Sequence, residues 1–220
     1  LKIPFTLSAE SILYAVSLLG VMVSAVSGSL VAGHKRFDWL GVLAIAMVTA
    51  LGGGTLRDVL LARHPIFWLH DPNFIWASLT ATALTLAFVR FVVPPKNLLL
   101  VADALGLAFF TISGAQLSAQ TGAPAVVVVL MGTTTGVAGG VLRDVLTGEV
   151  PLLFRQGELY ATASIVGAAL YLSLLGMGSE KGLAALTAMS SIAILRFAAI
   201  LWGIRLPIFQ LSDDDRPIND

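Results

Sequence analysis

"GGGTLRDVLL", Gly52 to Leu61, closes one long apolar run, and "AGGVLRDVLT", Ala138 to Thr147, closes another. Glycine weakens a helix interior by about 1 kcal/mol relative to alanine, and an Arg-Asp pair one turn further on brings charge close to hydrocarbon. Gly53 to Leu60 reads GGTLRDVL and Gly139 to Leu146 reads GGVLRDVL, so seven of eight positions match at an offset of 139 − 53 = 86. The same offset aligns Gly20 with Gly106, Ser27-Gly28 with Ser113-Gly114, Thr49 with Thr135 and Pro65 with Pro151, and runs on to Ala77 with Ala163 and Leu84 with Leu170. A single matching tetrad would be unremarkable; a constant offset without gaps marks an internal duplication.

The solvent for that duplication is lipid. The chain has 220 residues, 57% hydrophobic and 12% charged, with a mean hydropathy of +0.90, whereas a soluble domain is about 25% charged. Thirteen basic and thirteen acidic residues balance, so there is no charge excess to draw nucleic acid. There is no cysteine, which removes disulfides, thiolate metal sites and cysteine nucleophiles. His34, His64 and His70 fall in predicted loops, so no fixed metal site and no cofactor are expected. The first residue is Leu rather than Met, which points to a trimmed amino terminus.

A membrane-crossing helix needs about 20 mostly apolar residues. Seven stretches qualify: Ala9–Ala32, Trp39–Leu60, Asn73–Val92, Leu98–Ala119, Pro124–Leu146, Leu159–Gly176 and Gly182–Ile204. "AQTGAP", Ala119 to Pro124, carries the turn residues that divide the fourth from the fifth. The first belongs to the duplication and is read as a span, not a cleavable leader. The expected fold is therefore an all-α membrane protein with seven transmembrane helices. Residues 1–96 form a first three-helix repeat, 97–178 a second, 179–206 the seventh helix and 207–220 a cytoplasmic tail, all within one membrane domain. Three spans per copy is an odd number, so the second copy enters from the opposite side and lies inverted. Such pairs place function near the midplane, at the interface between copies. Lys35, Arg36, Arg90, Lys96, Arg155, Arg205 and Arg216 fall on one side and Lys2, Arg63 and Lys181 on the other. That bias puts the amino terminus outside and the carboxyl terminus in the cytoplasm of a bacterial-type inner membrane.

Several residues stand out as site candidates. Gly52, Gly53 and Gly54, with Gly139 and Gly140, predict local breaks in the second and fifth spans. Carbonyls freed at a break are tolerated only inside protein or beside water, where they can replace a cation's hydration shell; close helix packing is the other reading. Arg57 and Asp58 are sequence neighbours on a helix, as are Arg143 and Asp144, and each is expected to find its own partner or to snorkel to the interface. Asp103 lies about six residues into the fourth span, a depth at which an ionisable group marks an ion path or pairs with an arginine. Its repeat partner is Ser17 (103 − 86 = 17), so the two halves differ there. Ser27, Ser113, Thr49 and Thr135 supply hydroxyls that bond a neighbouring carbonyl or face a pore. Arg196 in the seventh span is read as a tie between that helix and the bundle. Trp68, Trp76 and Trp202 suit the headgroup belt.

"SAVSG" (from Ser24), "DWLGVLAIAMVTALGGGTLRDVLLARHPIFWLHDP" (from Asp38), "DALGLAFFTISGAQ" (from Asp103) and "GGVLRDVLTGEVPLLFRQGELYATA" (from Gly139) resemble the prokaryotic TRIC family, the trimeric intracellular cation channels. The resemblance covers nearly the whole chain and is weakest over the seventh span and tail. It implies a homotrimer of seven-helix protomers, each enclosing an hourglass path for potassium and other monovalent cations, with membrane lipid as its other partner. It also implies bends at the two glycine motifs, with Arg57, Asp58, Arg143 and Asp144 beside them, and assigns the fourth-span acid to Asp103. Relatives that place an acid in the first span have Ser17 here, and Ala138 stands where the first motif has Gly52. Bacterial members of the family have also been proposed as glycine transporters. Three functions follow in order of preference: a passive monovalent cation channel, permeant to potassium or sodium; a secondary transporter of a small zwitterion such as glycine; and a membrane scaffold. No enzyme constellation is found.

Overall fold

The structure, a computed structural model, describes residues 9–95, 97–155 and 159–207. Among these residues are α1 (Ala9–His34), α2 (Trp39–Leu60), α3 (Phe67–His70), α4 (Asn73–Phe91), α5 (Leu98–Gln120), α6 (Ala125–Leu146), α7 (Ala161–Gly176) and α8 (Lys181–Trp202), with a 3₁₀ turn at Leu152–Phe154. Lys2, Lys96, Arg216 and the tail beyond Pro207 lie outside the described residues. Six of the helices are long and apolar enough to cross a membrane. The helix α7, with 16 residues, rises only about 24 Å and is shorter than the sequence reading made it. His34 and His70 each end a helix instead of sitting in a loop.

The offset of 86 reappears in the bounds of α2 and α6. Adding 86 to the ends of α2 gives 39 + 86 = 125 and 60 + 86 = 146, the ends of α6. Both helices close in the same way. Arg63 N donates to Asp58 O at 2.8 Å and Ala62 N to Val59 O at 3.1 Å, while Glu149 N donates to Asp144 O at 2.8 Å and Gly148 N to Val145 O at 3.1 Å. This double closure places the residue after the C-cap in the left-handed region. The second copy uses Gly148 there, at φ 70°, but the first uses Ala62, at φ 51°.

Helices α2 and α6 cross through glycine. A Cβ on Gly53 would run into the carbonyl oxygen of Thr135, and one on Gly139 into that of Thr49. The two contacts are repeat images of each other, since 53 + 86 = 139 and 49 + 86 = 135. Gly54 makes room for the Phe67 ring and Gly140 for the Tyr160 hydroxyl. The expected breaks at Gly52, Gly53, Gly54, Gly139 and Gly140 are not present: α2 and α6 run through the motifs as continuous helices. A break would free carbonyls that need new partners in a dry interior, whereas an intact helix with small residues lets two backbones approach closely.

Two main clusters fill the core. Val21, Ala25, Ala46, Ala50, Leu51 and Ala81 pack together in the first copy. A larger cluster, including Leu107, Ile112, Val128, Tyr171, Ala188 and Ile192, joins the second copy to α8. Both are rich in alanine, as expected where close van der Waals contact, not exclusion from water, holds helices together.

Gly53→Ala and Gly139→Ala should each lower stability by about 1–3 kcal/mol, because an added methyl meets backbone that cannot move aside. Gly52→Ala, whose Cβ would meet only the end of Leu142, should stay within about 1 kcal/mol of the parent. Thermal melts of the three purified variants in detergent separate them. Ala62→Gly should stabilise by about 1 kcal/mol, the strain of a left-handed alanine, seen as a raised melting temperature.

Candidate functional site

Each glycine motif delivers an arginine and an aspartate into the interior one turn later. Arg57 is 4% exposed and Arg143 1%, so neither snorkels to an interface. Nor do the neighbours look away from each other. Arg57 Nε donates to Asp58 Oδ1 at 2.8 Å, and Arg143 Nε donates to Asp144 Oδ1 at 2.7 Å. The sequence expectation treated the pair as stubs on a helix; the arginine chain is long enough to curl back onto the adjacent carboxylate. The second aspartate oxygen fastens the following loop, with Asp58 Oδ2 accepting from Phe67 N at 2.8 Å and Asp144 Oδ2 from Leu152 N at 3.0 Å.

The arginines then reach across to the other copy. Arg57 Nη1 donates to Ser113 Oγ at 3.0 Å, and Arg143 Nη1 donates to Ser27 Oγ at 2.5 Å. Arg57 matches Arg143 and Ser27 matches Ser113 at the same offset of 86, so each copy's guanidinium bonds the other copy's hydroxyl. Thr49 and Thr135 differ from these serines: each hydroxyl donates to its own helix, to Ile45 O and Met131 O, both at 2.6 Å.

The two ends part company at Asp103. This carboxylate is buried, and its Oδ1 lies 2.6 Å from Arg143 Nη1. Arg143 thus sits between Asp144, Asp103 and Ser27, while Arg57 has Asp58 and Ser113. Asp103 Oδ2 is buried and receives no hydrogen bond among the described residues. Tyr160 closes the same pocket, and the Arg196 guanidinium lies 4.9 Å from its ring centroid while Arg196 Nη1 donates to Leu159 O at 3.3 Å. Arg57 has an aromatic neighbour of its own, the Phe67 ring, 5.3 Å from guanidinium carbon to centroid.

Space follows the same asymmetry. Around Asp103, Ser24, Thr49, Thr135 and Tyr160 the free volume is about 10 Å³, at or below the roughly 10–15 Å³ one water requires. Around Ser17, Arg57 and Ser113 a cavity of about 180 Å³ opens, and Arg63, Phe67 and Phe74 line both it and a neighbouring vestibule of about 640 Å³ that Tyr14, His64, His70 and Asp71 also line. Phe110, midway along α5, lines both the larger cavity and the tight one. Phe110, Phe67, Phe74, Ser24 and Tyr160 escaped the sequence reading, although the offset contains two of the pairings: Phe110 falls on Ser24 and Tyr160 on Phe74.

A family model described as glycine transporter matches residues 14–90 and again residues 100–175, and the two matches begin 100 − 14 = 86 residues apart. A solved structure described as the TRIC trimeric intracellular cation channel orthologue from Rhodobacter sphaeroides is 36% identical, with a TM-score of 0.83 over 88% of this chain and 100% of that one. The chain belongs to the TRIC family. A second TRIC structure, described as a prokaryotic TRIC channel in 0.5 M KCl, is 28% identical with a TM-score of 0.83 over 90% of this chain and 100% of that one. Relatives include a UPF0126 membrane protein of Vibrio cholerae serotype O1, 41% identical over 92% of this chain and 84% of its own length. The inner membrane protein YadS of Escherichia coli K12 is 39% identical over 93% of this chain and 100% of its own length. Like these TRIC relatives, the protein is an integral membrane protein.

Asp103→Asn should destabilise the protein by roughly 2–4 kcal/mol, because it removes one of the two carboxylates on a fully buried guanidinium; Ser17→Ala, at the matching position, should not. Outside the bundle, Lys35 Nζ lies 2.5 Å from Glu149 Oε1 and ties the α1–α2 turn to the end of α6. Hydrogen bonding to Lys35, then its charge, holds the Glu149 carboxyl below the ordinary glutamate range. The bridge therefore acts above the ordinary glutamate pKa and is lost as pH falls through the lowered one. Carbon-13 NMR titration should show Glu149 moving up toward the ordinary range in Lys35→Gln, with Arg155 still holding it down in part.

Proposed function

We propose that the protein is a passive monovalent cation channel, permeable to potassium, with one path inside each protomer of a homotrimer. In this reading seven helices cross the inner membrane, counting the short α7, as two inverted three-helix repeats plus α8. The amino terminus faces outward and the carboxyl terminus lies in the cytoplasm. The path descends from the vestibule at His64 and His70, through the cavity beside Arg57 and Ser113, past Phe110, and into the polar pocket of Asp103.

The observation that supports a cation as the permeant species is the buried Asp103 carboxylate, whose Oδ2 receives no hydrogen bond among the described residues. An acidic oxygen at that depth attracts a cation that has given up part of its water. The 36% identical relative described as a cation channel supports the same class. Phe110 supplies the barrier. An apolar ring at a constriction gates by excluding water, and the free space on its inner side holds at most a single water. Conduction then requires the ring to swing aside or the α5–α6 contact to loosen. The glycine motifs enter as the pivot of the α2–α6 crossing, not as ligands.

A second reading, a secondary transporter for a small zwitterion, is favoured by one observation: guanidinium groups, with no carboxylate among the described residues, line the outer cavity. It predicts saturable counterflow without unitary currents.

Liposomes loaded with a potassium-sensitive dye decide between the two. The channel reading expects potassium and sodium flux with chloride excluded, and Phe110→Ala should raise the cation flux several-fold. Absence of cation flux from reconstituted protein that still melts cooperatively overturns it.

A further inference from the structure

The inner and outer arginine sites share one plan and differ in one group. On the inner side Arg143 Nη1 donates to two acceptors, Ser27 Oγ at 2.5 Å and Asp103 Oδ1 at 2.6 Å. On the outer side Arg57 Nη1 donates to Ser113 Oγ at 3.0 Å, the image of the first bond. The image of Asp103 is Ser17 (103 − 86 = 17), which is shorter and carries no charge. Where the inner half places an aspartate side chain, the outer half has the 180 Å³ cavity, and Ser17 is on its wall.

We infer that this outer cavity binds the carboxylate of a small molecule, which takes up against Arg57 the place that Asp103 fills against Arg143. The pattern of partners agrees. Arg57 is already paired with Asp58, as Arg143 is with Asp144, and a second carboxylate on each guanidinium completes the same arrangement. Arg63 stands at the junction of cavity and vestibule and adds a positive charge for an incoming anion. It makes no ion pair with a described residue at the distances that join Lys35 to Glu149 or Arg57 to Asp58. The size limits the guest, since an apolar cavity of about 150 Å³ accommodates benzene. The remaining walls include Phe67, Phe74, Phe109 and Phe110, which accept a short aliphatic stub or, through their faces, an ammonium group. The inference goes beyond the channel reading and stands whether or not the protein conducts cations.

The test is equilibrium dialysis of the purified full-length protein in detergent against labelled acetate and labelled glycine, with chloride as competitor. Saturable binding of either carboxylate is expected. Binding of both defines a general short-carboxylate site, and binding of glycine alone defines an amino-acid site that also uses the phenylalanine faces. Ser17→Asp places a tethered carboxylate in the cavity, so it should weaken binding at least ten-fold while holding or raising the melting temperature. A merely disruptive substitution would lower the melting temperature. Arg63→Gln, an exposed change, should weaken binding several-fold, and it decides the matter if Ser17→Asp does not fold. The inference is overturned if neither carboxylate binds, if chloride displaces them at equal concentration, or if Ser17→Asp or a folded Arg63→Gln binds as tightly as the parent. Potassium flux in the same preparations reports separately on the channel reading.

Discussion

Two glycines pressed against two threonine carbonyls set the distance between α2 and α6, and that distance places the two buried arginine-aspartate pairs. Because Gly53 meets Thr135 and Gly139 meets Thr49, the crossing is self-complementary, and the chain segments leaving it are related in the same way. Arg57 and Arg143 emerge one turn beyond the contact, close enough to the opposite copy to reach Ser113 and Ser27. With a wider crossing, neither guanidinium could bond its own neighbouring aspartate and the far serine together. A buried arginine with fewer partners would be costly in this environment. Packing and electrostatics are therefore one constraint here.

Much of this was legible in the sequence, for a physical reason. Lipid demands long apolar helices, and their ends are written in turn residues and charges, so the bounds of α2 come out as Trp39–Leu60 in both descriptions. The constant offset located the elements that match, because a duplicated chain of one length must superpose without gaps. The meaning of the glycines was harder to read. A run such as Gly52 to Gly54 looks the same whether it breaks a helix or lets another helix approach, and only the facing surface, Thr135 and Phe67 in this case, tells the two apart. The pairing of Arg57 with Asp58 was missed because helical-wheel arguments treat side chains as short. Phe110 and Tyr160 gave no signal by themselves, since one more aromatic ring in an apolar span is unremarkable. They become informative once aligned with Ser24 and Phe74.

The duplication is also imperfect in an orderly way. The larger hydrophobic cluster belongs to the second copy, where α8 packs against α5 and α7, and that same half holds Asp103, the tight pocket and the tie through Arg196. The first copy lacks the extra helix, carries Ser17, and keeps its arginine beside open space. One half is filled by an added helix and an added charge, and the other keeps a cavity.

In the proposed channel, the continuous helices α2 and α6 bear on discrimination between ions. A tight size sieve needs a ring of main-chain oxygens turned inward and released from other duties. Here those oxygens at the crossing serve their own helices and face the opposing glycines, and the threonine hydroxyls beside them donate along the same ladders. In the proposed channel, walls that offer the Asp103 carboxylate and serine oxygens would tell positive from negative far better than they would tell potassium from sodium.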